Sequence, residues 1–373
     1  MLKAYSIRFH MSKLAKTAVL FIPIFFFGLF FGFIIDDTSI FDSISNENSI
    51  QSFSQNMKPI NIEEHVSILN SEDIDKKRHE LINLIWKSNS LPSNQPTVET
   101  NIVDERFSNL TNLQKIEKIS LEMEHGFISN SYLFLPKDSN GKLIIYHQGH
   151  SGGFVNGKQT IQDFLNAGFS VAAFSMPLFG MNNQPIVNID NIGPVKFLKH
   201  NQFVLLESEE FSSLKLFFAP INSTLNYIEN NYSFSEFHMV GISGGGWTST
   251  VYPALDPRIS KSFSVAGSLP LSLRNIIDDV GDYEQFHPEL YSTANYFELY
   301  IMSSIGDDRE FIQIFNKNDP CCFAGNIFKI YHEPIKKFVS QFDLGNFDII
   351  VDDTHNEHII SNFSKEIIIK KLS

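Results

Sequence analysis

Within 373 residues, the run Gly241-Ile242-Ser243-Gly244-Gly245 offers the most direct chemistry. Strand-like residues Glu236-Phe237-His238-Met239-Val240 precede it, and Gly246-Trp247-Thr248-Ser249-Thr250-Val251 can open a helix behind it. A serine at a sharp strand-to-helix turn sits in a strained backbone, and the flanking glycines let strand and helix approach without Cβ clashes. The turn lifts the hydroxyl clear of the strands. The free N–H groups of the helix start then point at whatever the serine attacks. Ser243 is the candidate nucleophile.

A nucleophile of this kind must be held by a sheet, and the flanking sequence supplies one. From Leu113 the apolar pattern changes to strands: Ile116 to Met123 alternates loosely, and Ile128 to Pro136 follows as a hairpin partner. The turn Asn140-Gly141 leads into Leu143-Ile144-Ile145-Tyr146, a short apolar run suited to a strand buried on both faces. A helix over Ile161 to Ala167, a strand over Phe169 to Phe174 and a helix over Leu214 to Tyr232 come before the serine. Strands at Ile259 to Val265, Phe311 to Phe315 and Phe347 to Val351, and a helix from about Ile360 to Leu372, come after it. Strands alternating with helices imply an α/β fold with a doubly wound, mostly parallel sheet. Two stretches interrupt the alternation, Met181 to Phe211 and Leu271 to Arg309. They read as helical cap insertions lining a pocket.

This pattern resembles the α/β-hydrolase superfamily over Leu113 to Ser373. That superfamily places its groups in the chain order serine, acid, histidine. The resemblance puts the acid at Asp319, in the polar loop Asn316-Lys317-Asn318-Asp319-Pro320 behind an apolar strand. Asn316 stands where a glycine is usual, and it is expected to take the left-handed conformation there. Asp307, Asp308, Asp278, Asp279 and Asp282 are the rival acids. The histidine falls in Asp352-Asp353-Thr354-His355-Asn356-Glu357-His358. His358 is favoured because it lies nearer the last helix, which Ser361 could cap, and His355 stays open. An oxyanion site needs two backbone donors. The resemblance assigns them to Gly244 and, in His147-Gln148-Gly149-His150-Ser151-Gly152-Gly153, to His150.

The implied activity is serine hydrolysis of a carboxylic ester through an acyl-enzyme, on a small-molecule, glycan or lipid ester. A serine peptidase of related fold and a non-catalytic binding protein on a hydrolase fold are the alternatives. No cofactor is expected. His147 and His150 invite a metal reading, but no third ligand with fitting spacing is evident, so no metal is expected either. Cys321 and Cys322 are adjacent; they are read as two buried thiols packed under the acid loop, with a strained disulfide between them left open.

Composition sets the outer bounds. A net charge of −13 without a basic stripe argues against nucleic acid, and 43% hydrophobic with 19% charged residues describes a globular protein with a sizeable core. Residues 1–17 are basic, and 18–35 are almost wholly apolar, about the length that spans a bilayer. Lys3, Arg8, Lys13 and Lys16 precede that run, and Asp36 and Asp37 follow it. The expected topology is a single-pass transmembrane anchor with a cytoplasmic N-terminus and the catalytic domain outside. A cleaved signal peptide is the alternative. Residues 36–60 read as a polar linker, 61–112 as an N-terminal helical extension and 113–373 as the hydrolase domain.

Overall fold

The computed structural model describes residues 58–274 and 280–373. The expected membrane anchor and the rival acids Asp278 and Asp279 lie outside these described residues. Among the described residues, no helix is long and apolar enough to cross a membrane.

Among the described residues, nine strands build the main sheet. In chain order they are β1 (Thr97–Glu99), β2 (Leu113–Glu122), β3 (Ile128–Pro136), β4 (Lys142–His147) and β5 (Ser170–Phe174). A separate two-stranded hairpin, β6 (Ile186–Ile189) and β7 (Gly193–Lys196), follows. The sheet resumes with β8 (Glu236–Ile242), β9 (Ile259–Val265), β10 (Glu310–Asn316) and β11 (Asn346–Asp352). Their spatial order is β1-β2-β3-β5-β4-β8-β9-β10-β11. The first three ladders are antiparallel, and every pairing from β5 through β4 to β11 is parallel. The winding reverses between β4 and β8, so loops leaving the carboxyl ends of these two strands diverge and open a crevice.

The side-chain alternation of the parallel strands explains the two helical layers. Leu143 and Ile145 of β4 join one buried cluster, while Ile144 and Tyr146 join the other. Successive side chains of a strand point to opposite faces, so a run apolar at every position needs cover on both. The covering helices are α1 (Ser71–Trp86), α2 (Lys158–Asn166), α3 (Lys215–Asn231), α4 (Gly244–Leu255), α5 (Leu271–Arg274), α6 (Pro288–Thr293), α7 (Tyr296–Ser304), α8 (Lys329–Ser340) and α9 (Asn362–Leu372). Ile161, Phe164 and Leu165 of α2 and Ile368 and Leu372 of α9 fill one face. Residues of α1, α3, α4, α7 and α8 fill the other.

The segment ahead of the sheet is more than helical. Asn70 caps α1 by accepting from the amides of Glu72 and Asp73, and Glu72 and Asp73 suit the positive end of the helix. The helix stops at Trp86 with Lys87 in the left-handed conformation, at φ 52°, well before Pro92 and Pro96. Its apolar stripe, Ile74, Leu81, Ile82, Ile85 and Trp86, is buried. The same segment then adds β1 to the sheet edge, a strand too short for periodicity to show.

Candidate active site

The serine stands where strand meets helix. β8 ends at Ile242, Ser243 takes φ 57° and ψ −126°, and α4 begins at Gly244. Backbone so far from the usual wells costs about 1–3 kcal/mol and persists only where its surroundings fix it. Here the Ser243 amide donates to Val265 O at 3.0 Å, and Ser243 O accepts the first helical bond from Trp247 N at 2.9 Å. Glycine is required beside it: a Cβ on Gly241 would meet Gly245 O at 2.0 Å. The β4 loop closes over the other side. A Cβ on Gly149 would lie 2.5 Å from Ser243 Cβ and 3.1 Å from Oγ. The backbone of Gly149 therefore runs close to the hydroxyl, and the first N–H groups of α4 have no carbonyl four residues back to bind.

Asp319 and His358 meet across the loops behind β10 and β11. His358 Nδ1 lies 2.8 Å from Asp319 Oδ2. The amides of Cys321 and Cys322 donate to Asp319 Oδ1 at 2.8 and 3.0 Å, and Asn316 Nδ2 donates to Oδ2 at 3.2 Å. Burial alone would raise the Asp319 carboxyl, but the bond from His358 and these amides outweigh it and hold it below its ordinary range. A carboxylate can only accept, so His358 Nδ1 carries the proton and Nε2 keeps its lone pair. Nε2 is buried with no hydrogen-bond partner among the described residues. An imidazole held this way can take a proton from a hydroxyl. Ile242, beside the serine, and His358 line one groove of about 700 Å³ together with Gln148, Ser151 and His355.

His355 is placed differently. Its Nε2 lies 3.3 Å from Asp352 Oδ2, and its Nδ1 accepts from Glu357 N at 3.1 Å. Asp352 also accepts from Thr354 Oγ1 at 2.7 Å, from Ser364 Oγ at 2.9 Å and from Ser361. It is a fully buried hub that shapes the loop carrying His358, and Ser361 caps α9 as expected.

Two expectations about the acid loop change. Asn316 is the last residue of β10 and stays extended; it contributes through its side chain, which ties Asp319 Oδ2 to Ile359 O. The cysteines are not buried thiols: Cys321 is exposed, Cys322 is half-buried, and the two are bonded to each other. What serves Asp319 is their backbone. Among the rival acids, Asp307 and Asp308 precede β10, and Asp282 lies in another cluster.

That second cluster corrects the reason for dismissing a metal. His147 takes no part, since its Nδ1 donates to Gln148 O at 2.9 Å and burial pushes the imidazole down to about 4. His150 does take part: its Nε2 lies 2.8 Å from Glu284 Oε1, 3.2 Å from Asp282 Oδ2 and 3.2 Å from His200 Nδ1. Glu284 and His200 are buried. Burial alone would raise the Glu284 carboxyl and lower the His200 imidazole; each outweighs burial for the other, so Glu284 sits well below the carboxylate range and His200 above its ordinary value. The cluster abuts the serine turn, because a Cβ on Gly244 would meet the His150 ring at 2.4 Å. His200 and Glu284 are functional candidates that sequence reasoning missed, and Asp282 was weighed there only as a rival acid. Their distance along the chain hides them, and their positions in the two insertions were the only signal.

Comparison with known proteins agrees with this architecture. No protein-family model and no curated protein matches the chain. Solved structures do. An acetyl xylan esterase from a Paenibacillus species is 16% identical with a TM-score of 0.54, the match covering 86% of this chain and 97% of that one. Acetyl xylan esterase 1 from a Thermoanaerobacterium species is 15% identical with a TM-score of 0.53, covering 86% and 98%. A glucuronoyl esterase from Solibacter usitatus is 12% identical with a TM-score of 0.52, covering 82% and 93%. The chain has the α/β-hydrolase fold. At such identities the fold is what is shared, and the chemistry rests on this chain's own residues.

Proposed function

We propose that the protein is a serine esterase that hydrolyses carboxylic esters through an acyl-enzyme. One observation carries the reading: His358 is held by Asp319 with its Nε2 free, on the loops of the strands that follow the strained Ser243 turn. In this reading His358 Nε2 takes the Ser243 proton as Oγ attacks the ester carbonyl. The Gly244 and His150 amides receive the charge that develops on the carbonyl oxygen. The protonated His358 then gives its proton to the leaving alcohol, and Asp319 steadies the imidazolium without taking the proton itself. Water enters, loses a proton to His358 and releases the acid from Ser243.

The structurally similar proteins named above are acetyl xylan and glucuronoyl esterases, which supports a carbohydrate ester as the substrate class. A tether at residues 18–35, with the catalytic domain on the outer side, fits an ester of that kind. It rests on the basic-then-apolar order of the N-terminal sequence. A fluorophosphonate probe tests the chemistry: the native protein is labelled and Ser243→Ala is not. Release of acetate from acetylated xylan, set against 4-nitrophenyl esters of rising chain length, tests the substrate class. Protease added to intact cells tests the topology, since an outward domain is digested.

A further inference from the structure

We propose that His150, His200, Asp282 and Glu284 bind one divalent transition-metal ion of the zinc type, which fastens both cap insertions to the loop beside Ser243. One ligand atom from each of the four residues lies within 4.8 Å of the others. The close pairs are 2.8 to 3.2 Å apart. A tetrahedral ion with bonds of about 2.0–2.1 Å separates its ligands by about 3.3 Å, so small outward shifts of the side chains admit it.

The tautomer of His200 turns a ligand atom toward the cluster. His200 Nε2 lies 2.9 Å from Pro177 O, and a carbonyl only accepts, so Nε2 carries the hydrogen. His200 Nδ1 then faces Glu284 Oε1 and Oε2, both at 3.1 Å, and His150 Nε2 at 3.2 Å. His150 Nε2 itself faces two carboxylates. With both rings neutral and Nδ1 of His200 unprotonated, at most one hydrogen serves this gathering of acceptors. In metal-free protein a proton on His200 Nδ1 meets the Glu284 carboxylate, and a metal ion takes the place of that proton. A single dication satisfies all four donors at once. The bond from His200 to a backbone carbonyl is also the outer contact by which proteins orient a metal-bound imidazole. Two nitrogens and two carboxylates suit zinc-type ions better than magnesium or calcium, which prefer oxygen alone.

The surroundings are built to hold the ligands. Phe179, Phe203 and Phe217 pack around the His200 ring, at 5.5, 5.1 and 5.0 Å between centroids. The Tyr283 amide donates to Asn201 Oδ1 at 3.1 Å, joining the segment of Asp282 and Glu284 to that of His200. Four protein ligands close the coordination sphere, the arrangement of a structural site. The Asp282 side chain, 43% exposed, leaves an entrance from solvent.

Metal content and melting temperature read this site without any ester being turned over. Full-length protein is stripped with EDTA under non-reducing conditions, and zinc sulfate alone is titrated by calorimetry, with bound metal counted by mass spectrometry. One zinc per chain is expected, with a rise in melting temperature of about 5 °C at a hundredfold excess over Kd. Asp282→Asn and His150→Ala alter partly exposed residues and should fold, as checked by circular dichroism. Each should weaken zinc binding by about 10-fold or more. Absence of stoichiometric uptake by the native protein at free zinc up to about 100 μM overturns the proposal. Unchanged affinity in both variants also overturns it, because the zinc would then lie elsewhere.

Discussion

Asp319 and His358 stand on loops that leave the neighbouring strands β10 and β11, whereas His150, His200, Asp282 and Glu284 come from three segments of which only the first leaves the sheet. Both assemblies join imidazole to carboxylate beside the serine turn. The first inherits its geometry from strand pairing. The parallel register sets Asn316 against Asp352, and Lys317 N donates to Asp352 O at 2.8 Å, so the two loops start side by side. The second depends on insertions that have no ladder to align them, and it must be held by its own contacts. A site fixed by the sheet can be read from chain order. A site fixed by insertions becomes visible only once they are folded back.

The largest effects belong to the sheet-borne assembly. Ser243→Ala should lower ester hydrolysis by about 10⁴ to 10⁶ while far-UV circular dichroism stays unchanged. His358→Ala should match it, because such groups act as a unit, while His355→Ala should keep activity within about 10-fold of the native protein. Full activity in His358→Ala together with loss in His355→Ala would move the base and break the contrast drawn here. Asp319→Asn should lower kcat by about 10⁴. Its amide would donate toward His358 Nδ1, shift the proton to Nε2 and remove the lone pair that faces the serine. Hydrolysis of a 4-nitrophenyl ester measures all four.

Ser243 was legible because local chemistry announces it, and Asp319 because the resemblance fixes where in chain order an acid should fall. Gly241 and Ser243 sit between an apolar strand and a helix start, and Asp319 follows an apolar strand in a polar loop. The choice of His358 over His355 needed the structure, since only tertiary contact shows that Asp319 reaches one and Asp352 the other. Asn316 misled for the opposite reason. Its expected turn role came from its backbone tolerance, whereas the fold uses its amide to bind Asp319. The edge strand Thr97–Glu99 was illegible because three residues show no period. Glu284 and His200 were illegible because nothing near them in sequence marks a buried charge; their partners arrive from 84 residues away.

The insertion-borne cluster should show itself in stability instead of chemical rate. Glu284→Gln removes a fully buried carboxylate that faces two imidazoles. Breaking a buried ionic arrangement on one side costs about 3–5 kcal/mol, readable as a lower urea midpoint. Asp282→Asn, half-exposed, should cost no more than about 1 kcal/mol in zinc-free protein. Equal losses in the two variants would mean that the cluster is loose and solvated throughout, and that the contrast with the sheet-borne pair lies in chain position alone.

The smallest expected effect sharpens the comparison from the side of the acid. The Asp319 carboxyl is held below its ordinary value of 3.8 in the folded protein, burial being outweighed by His358 and the Cys321 and Cys322 amides. A depressed carboxyl makes the unfolded chain bind more protons than the folded one in that window. The stability it contributes is therefore present above the unfolded value of 3.8 and is lost as pH falls through the lower folded value. Asp319→Asn has no such proton to bind. The difference in unfolding free energy between native and Asp319→Asn protein should be constant above about pH 5 and should narrow below 3.8, as read from urea unfolding at a series of pH values. A difference that stays level across that range would mean that the loop amides and His358 do not favour the charged form, and Asp319 would then be no better held than a carboxylate in water.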